Sequence, residues 1–284
     1  MFSLVLKPET VTDKTNSSCT KLTDKMSTDT NTLYGLTPTL PADQSATKPA
    51  TDKPQALTPT QFPVPSTSLA SRINNYTKAK LPPQTYSHSL RVYTYGRAIA
   101  NQCFPQWNLD SNAKLNESWF ITAMLHDIGT TPEHISSTKL SYEFWAGYHA
   151  LEILQNESAT APHHGDDVGQ GRGVASREQA ESIAEAIIRH QDVQDKGRIS
   201  LLTRLIHMGT LLDNIGAGKE LVHPDTIRAV NEVYNRRGWS GCFRDTVVNE
   251  KELKPWAMVS RIEGFEETIE SNGKGLMKEW DEGK

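Results

Sequence analysis

Two histidines and two aspartates are the residues of this chain with the clearest potential for chemistry: His88, the adjacent pair His126 and Asp127, and Asp213. Each lies in an apolar stretch that is expected to be buried, where an unpaired carboxylate would cost several kcal/mol. Two imidazoles and two carboxylates suit zinc, and also iron(II) or manganese, with further coordination positions for water. The sequence therefore predicts a metal-dependent hydrolase or hydratase.

The parts of this set lie in three separate helical stretches. His88 shares a helical stripe with Val92 and Ile99, and Asp213 follows Ile206 at helical spacing, so both side chains are expected to face the core. In a chain with nine histidines, a single His-Asp pair is more often a hydrogen-bonded core feature than a catalytic one. A metal site is favoured because three separated apolar faces each carry ionisable residues.

Helical periodicity dominates the second part of the chain, whereas strand alternation is nearly absent. We predict an all-α helical bundle with helices near residues 87–103, 116–127, 141–156, 176–191, 199–214 and 224–236. Residues 10–65 are rich in Thr, Ser, Pro, Lys and Asp, so a disordered low-complexity tail is predicted for residues 1–70 and one catalytic domain for residues 71–284. The glycine-rich loop between residues 161 and 173 is interpreted as a solvated insertion.

Composition and the N-terminal sequence argue against nucleic-acid binding, membrane insertion and secretion. The net charge of -4 and the pI near 6.1 give no basic surface for nucleic acid, and no apolar run reaches the roughly eighteen residues of a membrane span. The N-terminus lacks the marks of a secretory or mitochondrial signal, so a cytoplasmic location is expected. Three widely spaced cysteines, Cys19, Cys103 and Cys242, fit reduced thiols.

Several blocks of the chain resemble one family. They are SHSLRV at 87–92, LHDI at 125–128, TKLSYEF at 138–144, IIRHQD at 187–192 and LDNIG at 212–216. In this order they look like the blocks of fungal cyanamide hydratases in the HD-domain superfamily, over roughly residues 70 to 260. The resemblance implies an all-helical HD domain, a zinc ion held by His88, His126, Asp127 and Asp213, a small-molecule substrate, hydration of cyanamide to urea, and a homo-oligomer.

Three further residues are candidates for the reaction itself. A metal ion lowers the pKa of bound water toward about 7, and attack on a nitrile-like carbon then leaves a nitrogen that needs a proton. Glu143 and Lys139 would share a helical face if that helix extends back to Lys139, or they would form an ordinary helical salt bridge. Thr210, which matches a threonine of the family, is expected to contact the substrate or to bond its own helix backbone.

Two more histidines keep another subclass open. His149 and His190 lie where binuclear HD phosphohydrolases have additional ligands, although His190 belongs to a hydratase block in which it is not counted among the zinc ligands. The alternative function is a metal-dependent phosphohydrolase for nucleotides or phosphate esters, with Arg91, Arg189 and Lys139 near the phosphate. A noncatalytic HD module with a structural metal is a second alternative.

Overall fold

The computed structural model describes residues 28–37, 40–156 and 173–283. Helices form nearly all of its regular structure, and the all-α prediction is confirmed. None of the described helices combines the length and the apolar character that crossing a membrane requires. The helices are α1 (Thr28–Leu33), α2 (Ser68–Lys80), α3 (Pro83–Cys103), α4 (Ala113–Leu125), α5 (Pro132–Ile135), α6 (Tyr142–Gln155), α7 (Arg177–Ile188), α8 (Leu201–Ile215), α9 (Pro224–Val233), α10 (Trp239–Leu253), α11 (Phe265–Lys274) and α12 (Lys278–Glu282).

The centre of the bundle is made by α3, α4, α6, α7 and α8. Helix α6 packs along α7, and α3 packs along α8, while α4 contacts α3, α7 and α8. The crossing of α3 and α8 is close because Gly209 lies against α3: a Cβ there would lie 2.9 Å from Val92 Cγ1 and 2.9 Å from the Val92 carbonyl oxygen. Buried apolar residues such as Trp119 and Leu205 fill the space between these helices.

The predicted helices agree with the structure within a few residues at each end. Helix α3 begins earlier than predicted, because Pro83 occupies a first-turn position where its missing N–H is not needed. Helices α1, α2, α5, α10, α11 and α12 were not predicted. Three of them, α1, α5 and α12, have only four to six residues, too few to show helical periodicity.

Much of the segment from residue 40 to 66 lies on the helical domain, which differs from the predicted tail. Leu40 and Pro41 (β1) pair antiparallel with Arg198 and Ile199 (β2), the backbone N–H of Leu57 donates to Thr226 Oγ1 at 2.7 Å, and the Phe62 side chain is buried. Backbone hydrogen bonds hold this segment, and such contacts leave little trace in apolar periodicity. The tail at 1–27 and the loop at 157–172 lie outside the described residues, so those predictions, like the domain boundary, stay predictions.

Candidate metal centre

The end of helix α4 presents the His-Asp pair. Leu125 is the last helical residue, His126 is the C-cap, and Asp127 leaves the helix with φ -101° and ψ 13°. His126 Nδ1 lies 2.8 Å from the carbonyl oxygen of Ala123, which accepts its proton and leaves Nε2 with a free lone pair. The following turn is pressed against α6 at Gly129, where a Cβ would lie 2.2 Å from the Tyr142 carbonyl oxygen. The turn can therefore approach α6 only with glycine at this position.

Helix α3 brings His88 to the same point. Its Nδ1 lies 2.6 Å from Asp213 Oδ2, and its ring stacks on Trp239 at 4.2 Å between ring centroids. Burial lowers the pKa of His88 to about 4, although the adjacent carboxylate of Asp213 opposes this shift. The imidazole is therefore neutral at pH 7. Its Nδ1–H donates to Asp213, so its Nε2 also carries a free lone pair.

Three donor atoms converge with the spacing of a tetrahedral metal site. His88 Nε2 lies 3.2 Å from His126 Nε2, and Asp127 Oδ2 lies 3.3 Å from His126 Nε2 and 3.7 Å from His88 Nε2. Metal–ligand bonds of about 2.1 Å at tetrahedral angles place neighbouring ligand atoms about 3.4 Å apart. Two imidazole lone pairs that face each other at 3.2 Å repel unless a cation lies between them. The three side chains therefore fit a divalent metal ion.

The carboxylate of Asp127 gives independent support for a cation. It is 1% exposed, and neither of its oxygens accepts a hydrogen bond from a described residue. Burial alone would raise the pKa of Asp127; His126, His190 and His88 lower it when they carry a proton toward the carboxylate, and a cation held between these side chains would act in the same direction. A buried carboxylate that stays ionised without a donor is a strong site for a metal ion.

The predicted ligand Asp213 lies on the far side of His88. Its Oδ2 accepts from His88 Nδ1, and both its oxygens accept from the Arg91 guanidinium, with Nη2 at 2.8 Å from Oδ2. Arg236 Nη2 donates to the backbone oxygen of Asp213 at 2.6 Å. Because its oxygens are engaged by a histidine and an arginine, Asp213 does not join the three converging donors. In this structure the carboxylate is hydrogen-bonded to His88 and Arg91, and the ligand role predicted from the sequence stays a prediction.

His190 and Tyr142 complete the wall opposite His88. His190 Nδ1 lies 2.7 Å from the Ile187 carbonyl oxygen, and its Nε2 faces Asp127 Oδ1 at 3.6 Å. The Tyr142 hydroxyl lies 3.4 Å from His190 Nε2 and accepts from Gln191 Nε2 at 3.0 Å. Sequence reasoning assigned no role to Tyr142 or Gln191, although both lie in blocks that carried the resemblance.

Glu143 is buried beside this cluster, whereas Lys139 is not. The Glu143 side chain is 0% exposed, and neither carboxylate oxygen has a hydrogen-bond partner among the described residues. Burial raises the pKa of Glu143 to about 7, against the attraction of nearby His190. Helix α6 begins at Tyr142, so Lys139 lies before it with an exposed side chain, and the ion pair considered from the sequence does not form.

The remaining candidates lie outside the converging group. The Thr210 hydroxyl donates to the Ile206 carbonyl oxygen of its own helix at 2.7 Å, which is the backbone alternative considered from the sequence. His149 lies further along α6, where its Nε2 pairs with the Tyr76 hydroxyl at 2.7 Å. It contributes no donor to the converging group, so no second metal site forms from it among the described residues.

Comparison with known proteins places these residues in a family. The HD domain model matches residues 85–207, a stretch that contains the three converging side chains and His190. Cyanamide hydratase DDI2 and cyanamide hydratase DDI3 of Saccharomyces cerevisiae (strain ATCC 204508 / S288c) are each 34% identical to this chain over 200 residues. The aligned part covers 70% of this chain and 80% of each relative. This chain belongs to the cyanamide hydratase family of HD-domain proteins.

Within this HD domain, the cations near the centre are already neutralised by carboxylates. Arg91 is bound to Asp213, and Arg189 lies 3.3 Å from Asp192 and 3.6 Å from Glu185. The arginines considered for a phosphate are therefore committed to protein carboxylates, and Lys139 points to solvent.

Proposed function

We propose that this protein is a cyanamide hydratase, a metal-dependent hydro-lyase that adds water to the nitrile carbon of cyanamide to give urea. The observation that carries the proposal is the complete enclosure of the centre: His88, Asp127 and Glu143 are each at most 1% exposed. An enclosed centre favours a substrate of a few atoms. The relatives' names supply the specific reaction.

The proposed metal ligands are His88, His126 and Asp127, with zinc as the first choice and iron or manganese as alternatives. Two neutral imidazoles and one carboxylate are a zinc donor set that leaves a position for water or substrate. Asp213 is proposed as the carboxylate that fixes the tautomer and orientation of His88, an arrangement common behind metal-bound histidines. A divalent cation held there would lower the pKa of a bound water toward about 7 and so supply the nucleophile.

The protein's own residues have separate tasks in this scheme. His190 Nε2, beside the second oxygen of Asp127, accepts a hydrogen bond from the attacking water and orients it. Addition of water forms the C–O bond and turns the C≡N triple bond into a C=N double bond. The nitrile nitrogen must gain a proton in the same step. Glu143, whose pKa is raised to about 7 by burial, still holds a proton near neutral pH and can donate it to that nitrogen. The proton released by water restores the acid, and the resulting isourea becomes urea when its O–H proton moves to the imino nitrogen.

Charge favours the hydratase over the phosphohydrolase. A phosphate ester brings one or two negative charges and needs free arginine or lysine side chains or further metal ions. The central arginines are bound to Asp213 and Asp192, and Glu143 would repel an anion once ionised. Cyanamide is neutral and makes no such demand.

Urea formation from cyanamide by the purified protein tests the proposal, with metal analysis of the same sample. We expect urea production with about one zinc per chain, and loss of both metal and activity in His126→Ala. The matched control is His223→Ala, since His223 lies at the surface and caps helix α9; this variant should keep both. A protein that hydrolyses phosphate esters but forms no urea would contradict the proposal.

A further inference from the structure

Helix α6 lacks a cap from its own sequence. Ser141 is the N-cap residue, yet its side chain makes no capping bond to the helix. Its Oγ accepts instead from the backbone N–H of Met258 at 3.0 Å. The first N–H groups of a helix have no partner within the helix, and they need an acceptor when they are buried. The start of α6 therefore depends on another part of the chain.

Glu250 of helix α10 provides that acceptor. Its Oε1 accepts from the backbone N–H of Tyr142 at 3.0 Å, across 108 residues of sequence. Lys254, one turn later on the chain, places its Nζ 3.2 Å from Oε1 and 3.1 Å from Oε2. Glu250 is 0% exposed and Lys254 is 1% exposed. The carboxylate of this buried ion pair thus accepts a hydrogen bond from Tyr142, the first residue of α6.

The residues at that point belong to the proposed active site. The Tyr142 hydroxyl lies 3.4 Å from His190 Nε2, and Glu143 is the buried carboxyl beside the same cluster. We propose that Glu250, held by Lys254, is a positioning residue that caps helix α6 from outside and so fixes Tyr142 and Glu143 against the metal centre. The inference rests on the proposed hydratase activity only for its kinetic test.

The chemistry of the pair argues against a contribution to stability alone. Removing two charges from water costs about as much as their attraction returns, and an apolar pair of similar volume often stabilises a protein equally well. What an apolar pair cannot do is accept the N–H of Tyr142. The hydrogen-bond acceptor at residue 250 and the charges of Glu250 and Lys254 can therefore have separate roles. Two double variants test these roles independently.

The experiment compares Glu250→Gln/Lys254→Met with Glu250→Leu/Lys254→Met in the full-length, zinc-loaded protein. Both remove the two charges, but only the first keeps a side-chain oxygen for Tyr142. We expect the glutamine variant to keep kcat for cyanamide within about threefold of wild type. The leucine variant should lose about tenfold or more in kcat, with unchanged zinc content, because the buried N–H of Tyr142 is left without an acceptor and the first turn loosens.

A second measurement does not depend on catalysis. Amide hydrogen exchange at residues 142–145 should be about tenfold or more faster in the leucine variant than in the glutamine variant. If the leucine variant fails to fold, exchange of the Tyr142 amide is measured in the wild type and the glutamine variant. Slow exchange in both is expected, and rapid exchange in either overturns the proposal. Exchange also separates this inference from the proposed function: an inactive wild type with a protected Tyr142 amide refutes the hydratase and not the cap.

The matched control is Lys251→Met. Lys251 lies on the same helix and pairs with Glu266 at 2.7 Å, away from α6, so both kcat and exchange at residues 142–145 should equal the wild-type values. Wild-type kcat in the leucine double variant would show that the cap has no role in positioning. Equal loss in both double variants would show that the charges, and not the acceptor, matter, and would likewise overturn the proposal.

Discussion

Replacing Glu143 with glutamine should make the protein more stable and less active. The side chain is 0% exposed, its oxygens have no hydrogen-bond partner among the described residues, and burial raises its pKa from 4.5 to about 7. A carboxyl kept in such a place is costly to ionise, and glutamine has nearly the same shape without a charge. If the proton of Glu143 is used in the reaction, stability and activity must change in opposite directions.

The size and sign of the stability change follow from the raised pKa. The folded protein binds this proton more tightly than the unfolded chain, so the stability associated with Glu143 is lost as the pH rises from about 4.5 to 7. At 1.36 kcal/mol per pKa unit, the loss is about 3 kcal/mol above pH 7. Glu143→Gln should therefore unfold like the wild type near pH 4.5 and be about 3 kcal/mol more stable at pH 8.

Urea denaturation of the metal-free proteins at both pH values measures the stability, and kcat for cyanamide measures the activity of the zinc-loaded proteins. Loss of a general acid should lower kcat by about 10²–10⁴-fold. Glu152→Gln is the matched control, since Glu152 lies on the same helix with its side chain 60% exposed, and neither quantity should change. Wild-type kcat in Glu143→Gln, or equal stability at pH 8, would refute the reasoning.

Three further changes have expected outcomes. Asp213→Asn should weaken zinc binding about 10–100-fold in a competition titration, because we propose that the carboxylate orients His88. It should also destabilise the fold by leaving the buried Arg91 without its carboxylate partner, and unchanged zinc affinity would contradict the proposed role. His207 is buried with its pKa lowered from 6.5 to about 4, so it favours the folded state above pH 6.5 and that contribution of about 3 kcal/mol is lost on acidification to pH 4. Urea denaturation of His207→Gln should show a correspondingly smaller loss across that range. Gly209→Ala should cost about 1–3 kcal/mol, since its Cβ would meet Val92 at 2.9 Å, and a melting temperature equal to wild type would refute the close approach.

Apolar periodicity was enough to predict the helices that carry the centre. His126 and Asp127 end a helix that is apolar on nearly every face, and His88 lies on the inward stripe of another. Periodicity predicts which face of a helix is buried. It does not predict whether both of two neighbouring polar side chains, such as His88 and Asp213, face the proposed metal site. Asp213 was therefore expected as a ligand; its carboxylate is hydrogen-bonded to His88 and Arg91 in the structure, and its ligand role stays a prediction.

Contacts between distant residues were beyond the reach of the sequence pattern. Lys139 was considered as a partner for Glu143 on one helix, but α6 begins only at Tyr142. The residue that caps this helix, Glu250, lies on α10, which was not predicted. The segment after residue 40 is also attached in part through its backbone N–H and C=O groups, whose contacts depend on geometry more than on the type of the side chain.

Zinc titration of the metal-free protein, with urea formation from cyanamide followed at each step, tests the central claim most directly. We expect no urea without metal, a rate that rises in proportion to added zinc, and a break at about one zinc per chain. A parallel titration of His126→Ala should show no rise. Full activity in the metal-free protein, or no urea at any zinc loading, would contradict the account.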